Sequence, residues 1–211
     1  MKWNDEYWPL LIQIYKKKPE GVKSIYSKSM VDIGLMLHIH PQELHKKMME
    51  LRKLDTPYIK QMWEELANNP RKLNKTVKIL QEKEGFGTSG RYFEGIETIE
   101  SWEQDFRPLE ADSRITPMML IIILDLYFQL TPSTMVKETE EIIETGKMLK
   151  LSAATIVDIM EVFQFCDPYL SRDDFMVHPL VFACQDIWNR FGNDDTEKLW
   201  SLAAQYKEYF K

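Results

Sequence analysis

Apolar residues recur three and four positions apart along most of this chain, and the residue that would interrupt such a pattern is scarce. Four of the eight glycines fall between Gly85 and Gly95, so the remaining stretches are almost free of helix breakers. This pattern predicts an all-α fold of about ten helices. Met30, Ile33 and Leu37 share one face of a helix over 27–37, and Leu44, Met48 and Leu51 share a face of another that opens at Pro41. Leu73, Val77 and Leu80 mark a third, capped by Asn69 with Pro70 in its first turn. Helices over 6–17 and 57–68 complete a set of five. A second set is expected at 116–130, 138–149, 152–165, 180–191 and 194–210, with Thr116, Ser152 and Asp194 as caps. Asp194 and Glu197 have the spacing of a capping box.

The two sets share a phrase. "GLMLHI" begins at Gly34 and "GKMLKL" at Gly146, 112 residues later. In that register Tyr15 meets Tyr127, Met36 meets Met148, Leu37 meets Leu149, Met48 meets Met160 and Asp55 meets Asp167. A tandem duplication of one helical unit accounts for this. The alternative is two similar helical packing solutions reached independently. The expected organisation is unit 1 over 1–84, a turn-rich linker over 85–115 clamped onto the body, and unit 2 over 116–211, with the two units packed together. Tyr92, Phe93, Ile96, Ile99, Trp102 and Phe106 make the linker too apolar to be free, and a short hairpin or helix is expected near 100–106.

Around the phrase, a small residue precedes an apolar residue, a turn, a second apolar residue, a cap and a further apolar residue. Gly34, Leu37, His38, Ile39, His40-Pro41 and Leu44 fill these places in unit 1; Gly146, Leu149, Lys150, Leu151, Ser152 and Ile156 fill them in unit 2. The arrangement resembles the helix-turn-helix of DNA-binding domains, over about twenty residues in each unit, with His38 and Lys150 where a turn glycine is usual. The resemblance implies that Gln42, His45 and Lys46 would face bases and that Lys47, Arg52 and Lys53 would reach phosphates. The matching residues of unit 2, Ala154, Val157 and Asp158, read DNA poorly, and Asp158 and Glu161 would repel phosphate.

Charge follows the same division. Residues 1–84 hold 16 Lys/Arg against 11 Asp/Glu, and residues 85–211 hold 11 against 22. An anionic partner for the first half, or attraction between the halves within or between chains, would use this asymmetry. Cys166 and Cys184 each lie in an apolar stretch and read as buried thiols rather than a disulfide. Residues 1–6 hold no apolar run, and the longest apolar run, 118–124, is too short to span a bilayer, so a cytoplasmic protein without membrane attachment is expected.

Catalytic and metal signatures are weak. His38, His40 and His45 lack a convergent geometry for a metal and read as capping or solvated side chains. "GFGTSG" lacks the Gly-Lys-Ser/Thr ending of a phosphate loop. Asp167, Asp173 and Asp174 form an acidic group, with Asp167, like Asp55, expected to start a helix. Asp125 sits in the most apolar helix; it either faces outward or caps a neighbouring backbone, or it is a site acid with Arg91, Arg107 or Arg172 as its partner. These features lead to a non-enzymatic helical protein that binds another protein or itself, without a cofactor. The alternative is a nucleic-acid-binding regulator that uses the helix Pro41–Leu54.

Overall fold

Five of the helices begin on a proline within their first two residues, and four of these have a side chain on the preceding residue accepting a backbone N–H. In the computed structural model, which describes residues 3–83, 86, 101–170, 176–193 and 195–211, helix α1 spans Trp8–Lys16, α2 Lys28–Leu37, α3 Pro41–Lys53, α4 Pro57–Leu66 and α5 Pro70–Glu82. The His40 imidazole accepts from Gln42 N at the start of α3, Thr56 Oγ1 from Ile59 N at α4, and Asn69 Oδ1 from Lys72 N at α5. Proline at this point forfeits no intrahelical bond, because the first N–H groups have no partner within the helix. Thr56, rather than Asp55, is therefore the cap of α4.

The first compact unit covers residues 1–103. Helix α1 is its centre: Trp8, Leu10, Leu11, Ile12 and Ile14 are buried, and the helix packs on α3, α4 and α5. The apolar faces anticipated from spacing all point inward, with Met30, Ile33 and Leu37 from α2, Leu44, Met48 and Leu51 from α3, and Leu73, Val77 and Leu80 from α5. Each such side chain contributes about 2 kcal/mol by leaving water. A short helix α6, Ser101–Gln104, lies within the expected window. Its Trp102 packs edge-on against His40, and its Glu103 is fully buried with His38 Nδ1 2.9 Å from Oε1.

The second unit covers residues 104–210. Helix α7, Pro117–Gln129, is buried on every side from Leu120 to Tyr127, as an all-round apolar helix must be. Around it pack α8 (Glu140–Leu149), α9 (Ala153–Cys166), α10 (Val181–Phe191) and α11 (Thr196–Lys207). The cap of α11 is Asp195, whose Oδ1 accepts from Glu197 N; residue 194 lies outside the described residues. Asp167 does not start a helix. It ends α9, accepting from Tyr169 N in a side-chain turn and from the Tyr127 hydroxyl. Among the described residues there are eleven α-helices and no strand. Of the expected linker, residues 85 and 87–100 lie outside the described residues.

The two copies of the repeated phrase form the same turn. His38 and Lys150 both adopt the left-handed conformation, at φ 54° and 59°, and the next residue's N–H closes the helix end: Ile39 N donates to Gly34 O at 3.0 Å, and Leu151 N to Gly146 O at 2.9 Å. A Cβ on Gly34 would lie 2.9 Å from the carbonyl oxygen of Ile39, and one on Gly146 would lie 2.8 Å from that of Leu151. Close approach of the turn to the helix thus requires glycine in both places. The left-handed position itself is filled without glycine, at a cost of about 1 kcal/mol.

Candidate functional site

Successive residues of α3 step about 100° around its axis, so the buried Leu44, Met48 and Leu51 leave Gln42, Lys46, Met49 and Lys53 on the opposite side, with His45 and Arg52 on the adjoining flank. Gln42, Lys46, Arg52 and Lys53 are exposed and His45 is half-buried. The fold therefore brings five of the six sequence-selected residues onto one outward face. Lys47 departs from this group. Its ammonium bonds both carboxylate oxygens of Glu50, at 2.8 and 3.0 Å, and lies 5.9 Å from the ring centroids of Trp3 and Trp8. It serves the flank of the helix, where its stem covers indole surface.

Two acids of α3 pair with two of its lysines. Glu43 hydrogen-bonds the Lys46 ammonium, which holds the Glu43 carboxyl below the usual carboxylate range, and Glu50 takes Lys47. The Lys46–Glu43 pair is solvated and adds little stability. Two of the three histidines near the turn are occupied structurally: His40 caps α3, and His38 faces Glu103. In unit 2, the corresponding face of α9 exposes Ala154, Asp158 and Glu161 and carries no cation at those positions. Among the described residues no three His, Cys, Asp or Glu converge as metal ligands. Asp173 and Asp174 lie outside the described residues.

Unit 2 holds a different feature. A groove of about 450 Å³ runs between the C-terminal half of α7 and the N-terminal half of α11, lined by Asp125, Phe128, Gln129, Thr196, Glu197, Leu199 and Trp200. Asp125 is only 4% exposed, so it does not face outward. Its described partner is Lys207, with Nζ 3.4 Å from Oδ2, and not an arginine. Arg91 and Arg172 lie outside the described residues. The lysine escaped sequence analysis because α11 reaches α7 only through tertiary packing, 82 residues along the chain. Trp200 is 61% exposed, although tryptophan at helical spacing reads as core.

Unit 2 also exposes Tyr169 at 86%, Val177 at 85% and Phe182 at 89%. Exposure of single apolar residues is ordinary, and these three fall within fourteen positions of the sequence. Cys166 and Cys184 are free, buried thiols, and burial pushes Cys166 up to about 11. Among the described residues, no helix is long and apolar enough to cross a membrane. Comparison with protein-family models, curated proteins and solved structures finds no match to this chain.

Proposed function

We propose that this chain is a non-enzymatic helical protein that acts by binding other proteins. The observation that carries the reading is the open apolar set Tyr169, Val177 and Phe182, which water solvates poorly and a partner surface would cover. The test compares the wild-type chain with a Tyr169→Ser/Val177→Ser/Phe182→Ser variant by sedimentation velocity and chemical cross-linking. Wild type is expected to self-associate or to cross-link to a defined partner set, and the variant to lose this with its urea midpoint unchanged. Unchanged association in the variant removes the basis of the reading, as does a wild-type chain that stays monomeric at high concentration and cross-links to nothing.

A second reading, nucleic-acid binding, is favoured by one specific observation. Helix α3 presents Gln42, Lys46, Arg52 and Lys53 outward together. Binding through this face would weaken linearly in log salt, with a slope of about −0.9 per phosphate neutralised. The variant Lys46→Glu/Arg52→Glu/Lys53→Glu should abolish it, and retained binding would rule the helix out. Common descent of the two units is a further proposal, supported by the matching turns at Gly34–Ile39 and Gly146–Leu151.

A further inference from the structure

The groove between α7 and α11 has a largely buried carboxylate, Asp125, in its lining. Lys207 reaches Oδ2 of Asp125 at 3.4 Å, near the outer limit of a hydrogen bond, and Oδ1 has no hydrogen-bond partner among the described residues. A carboxylate oxygen left open in this way can accept a further charged donor beside Lys207. A second carboxylate, Glu197, stands on the groove wall, and the side-chain amide of Gln129 adds an acceptor. The rings of Phe128 and Trp200 and the side chain of Leu199 supply the apolar surface.

Two carboxylates, a side-chain amide oxygen and exposed aromatic faces are the complement of a guanidinium, which is planar, weakly hydrated, rich in N–H donors and prone to stack on rings. A lysine ammonium is a strongly hydrated point charge and would use the rings less well. Residues 104–210 hold 18 Asp/Glu against 9 Lys/Arg, so the field of the whole unit draws cations. The N-terminus of α11 would oppose a cation, but Asp195 caps it and Glu197 lies in its first turn. The groove is larger than a guanidinium and its aliphatic stem, which leaves room for flanking main chain.

We propose that this groove receives an arginine side chain presented by a partner protein. The inference rests on the protein-binding reading and specifies the chemistry of what is bound. The test titrates the full chain with acetyl-Ala-Arg-Ala-amide, with the citrulline peptide as a neutral isostere, and with agmatine as a free small cation. Binding is followed by tryptophan fluorescence with Trp200→Phe as the blank, and by NMR shifts. The arginine peptide is expected to bind saturably and at least about tenfold tighter than the citrulline peptide, since only the former offers a charged donor. Glu197→Gln and Trp200→Ala, both at exposed positions, should each weaken it several-fold, with only a small change in thermal stability from the first-turn charge lost in Glu197→Gln.

Equal affinity for the citrulline peptide, no saturable binding, or indifference to both substitutions would overturn the proposal. Agmatine binding as tightly as the peptide would overturn the docked chain in favour of a free cation. None of Tyr169, Val177 and Phe182 lines the groove, so failure here leaves the protein-binding reading standing, and loss of that reading is scored by a separate variant.

Discussion

Arg190 grips Asp105 with both terminal nitrogens, Nη1 lying 2.8 Å from Oδ1 and Nη2 3.0 Å from Oδ2. The Tyr206 hydroxyl donates to Oδ2 at 2.9 Å, so a buried carboxylate ties α10 and α11 to the segment preceding α7. The main chain joins in, with Met118 N donating to Asp105 O. Removing the arginine leaves the buried carboxylate without its charged partner. Arg190→Ala should therefore cost about 3 kcal/mol in urea denaturation, and Tyr206→Phe about 1 kcal/mol. A double-mutant cycle giving no coupling between Asp105 and Arg190 would contradict this account.

The turns at 34–39 and 146–151 predict opposite signs for neighbouring substitutions. Gly146→Ala drives a methyl into the Leu151 carbonyl and should destabilise the chain by about 1–3 kcal/mol. Lys150→Gly removes the left-handed penalty and should stabilise it by about 1 kcal/mol. His38→Gly should gain less, because the Glu103 carboxylate loses the imidazole at 2.9 Å. Thermal melts of the three variants check the order.

Alkaline pH should act through the cysteines. Burial pushes Cys166 up to about 11, and it pushes Cys184 higher still, with a smaller contribution from Cys166. A thiol whose folded pKa is raised contributes stability that is complete below its unfolded value, about 8.5, and that disappears as pH rises through the folded value. Stability should thus decline from about pH 9 toward 11, and less steeply in a Cys166→Ala/Cys184→Ala variant. Iodoacetamide at pH 8 should label neither thiol in the native chain and both in urea; rapid native labelling would show that the thiols are not buried.

Lys46 and Lys47 are adjacent in sequence and should behave differently. Lys47 packs against Trp3 and Trp8 and holds Glu50, so Lys47→Ala should cost about 1 kcal/mol. Among the described residues Lys46 pairs only with the exposed Glu43, so Lys46→Ala should stay within about 0.5 kcal/mol of wild type. Equal losses in the two variants would undo the assignment of Lys47 to the packed flank.

Local chemistry alone determined the helical class, the buried faces of α2, α3 and α5, and most helix starts. A 3.6-residue period and a cap followed by proline act within one or two turns, and no distant residue is needed to read them. The glycine of each turn was also legible, since its constraint comes from five residues away. Tertiary structure decided the rest. It placed Lys207 on Asp125, Arg190 and Tyr206 on Asp105, and Glu103 on His38, at separations of 65 to 101 residues. It turned Lys47 inward while leaving Lys46 outside, and left Trp200 and Phe182 in water. Which charge meets which, and which apolar side chain stays uncovered, depends on how whole helices pack, and the residues of a single helix carry no record of that.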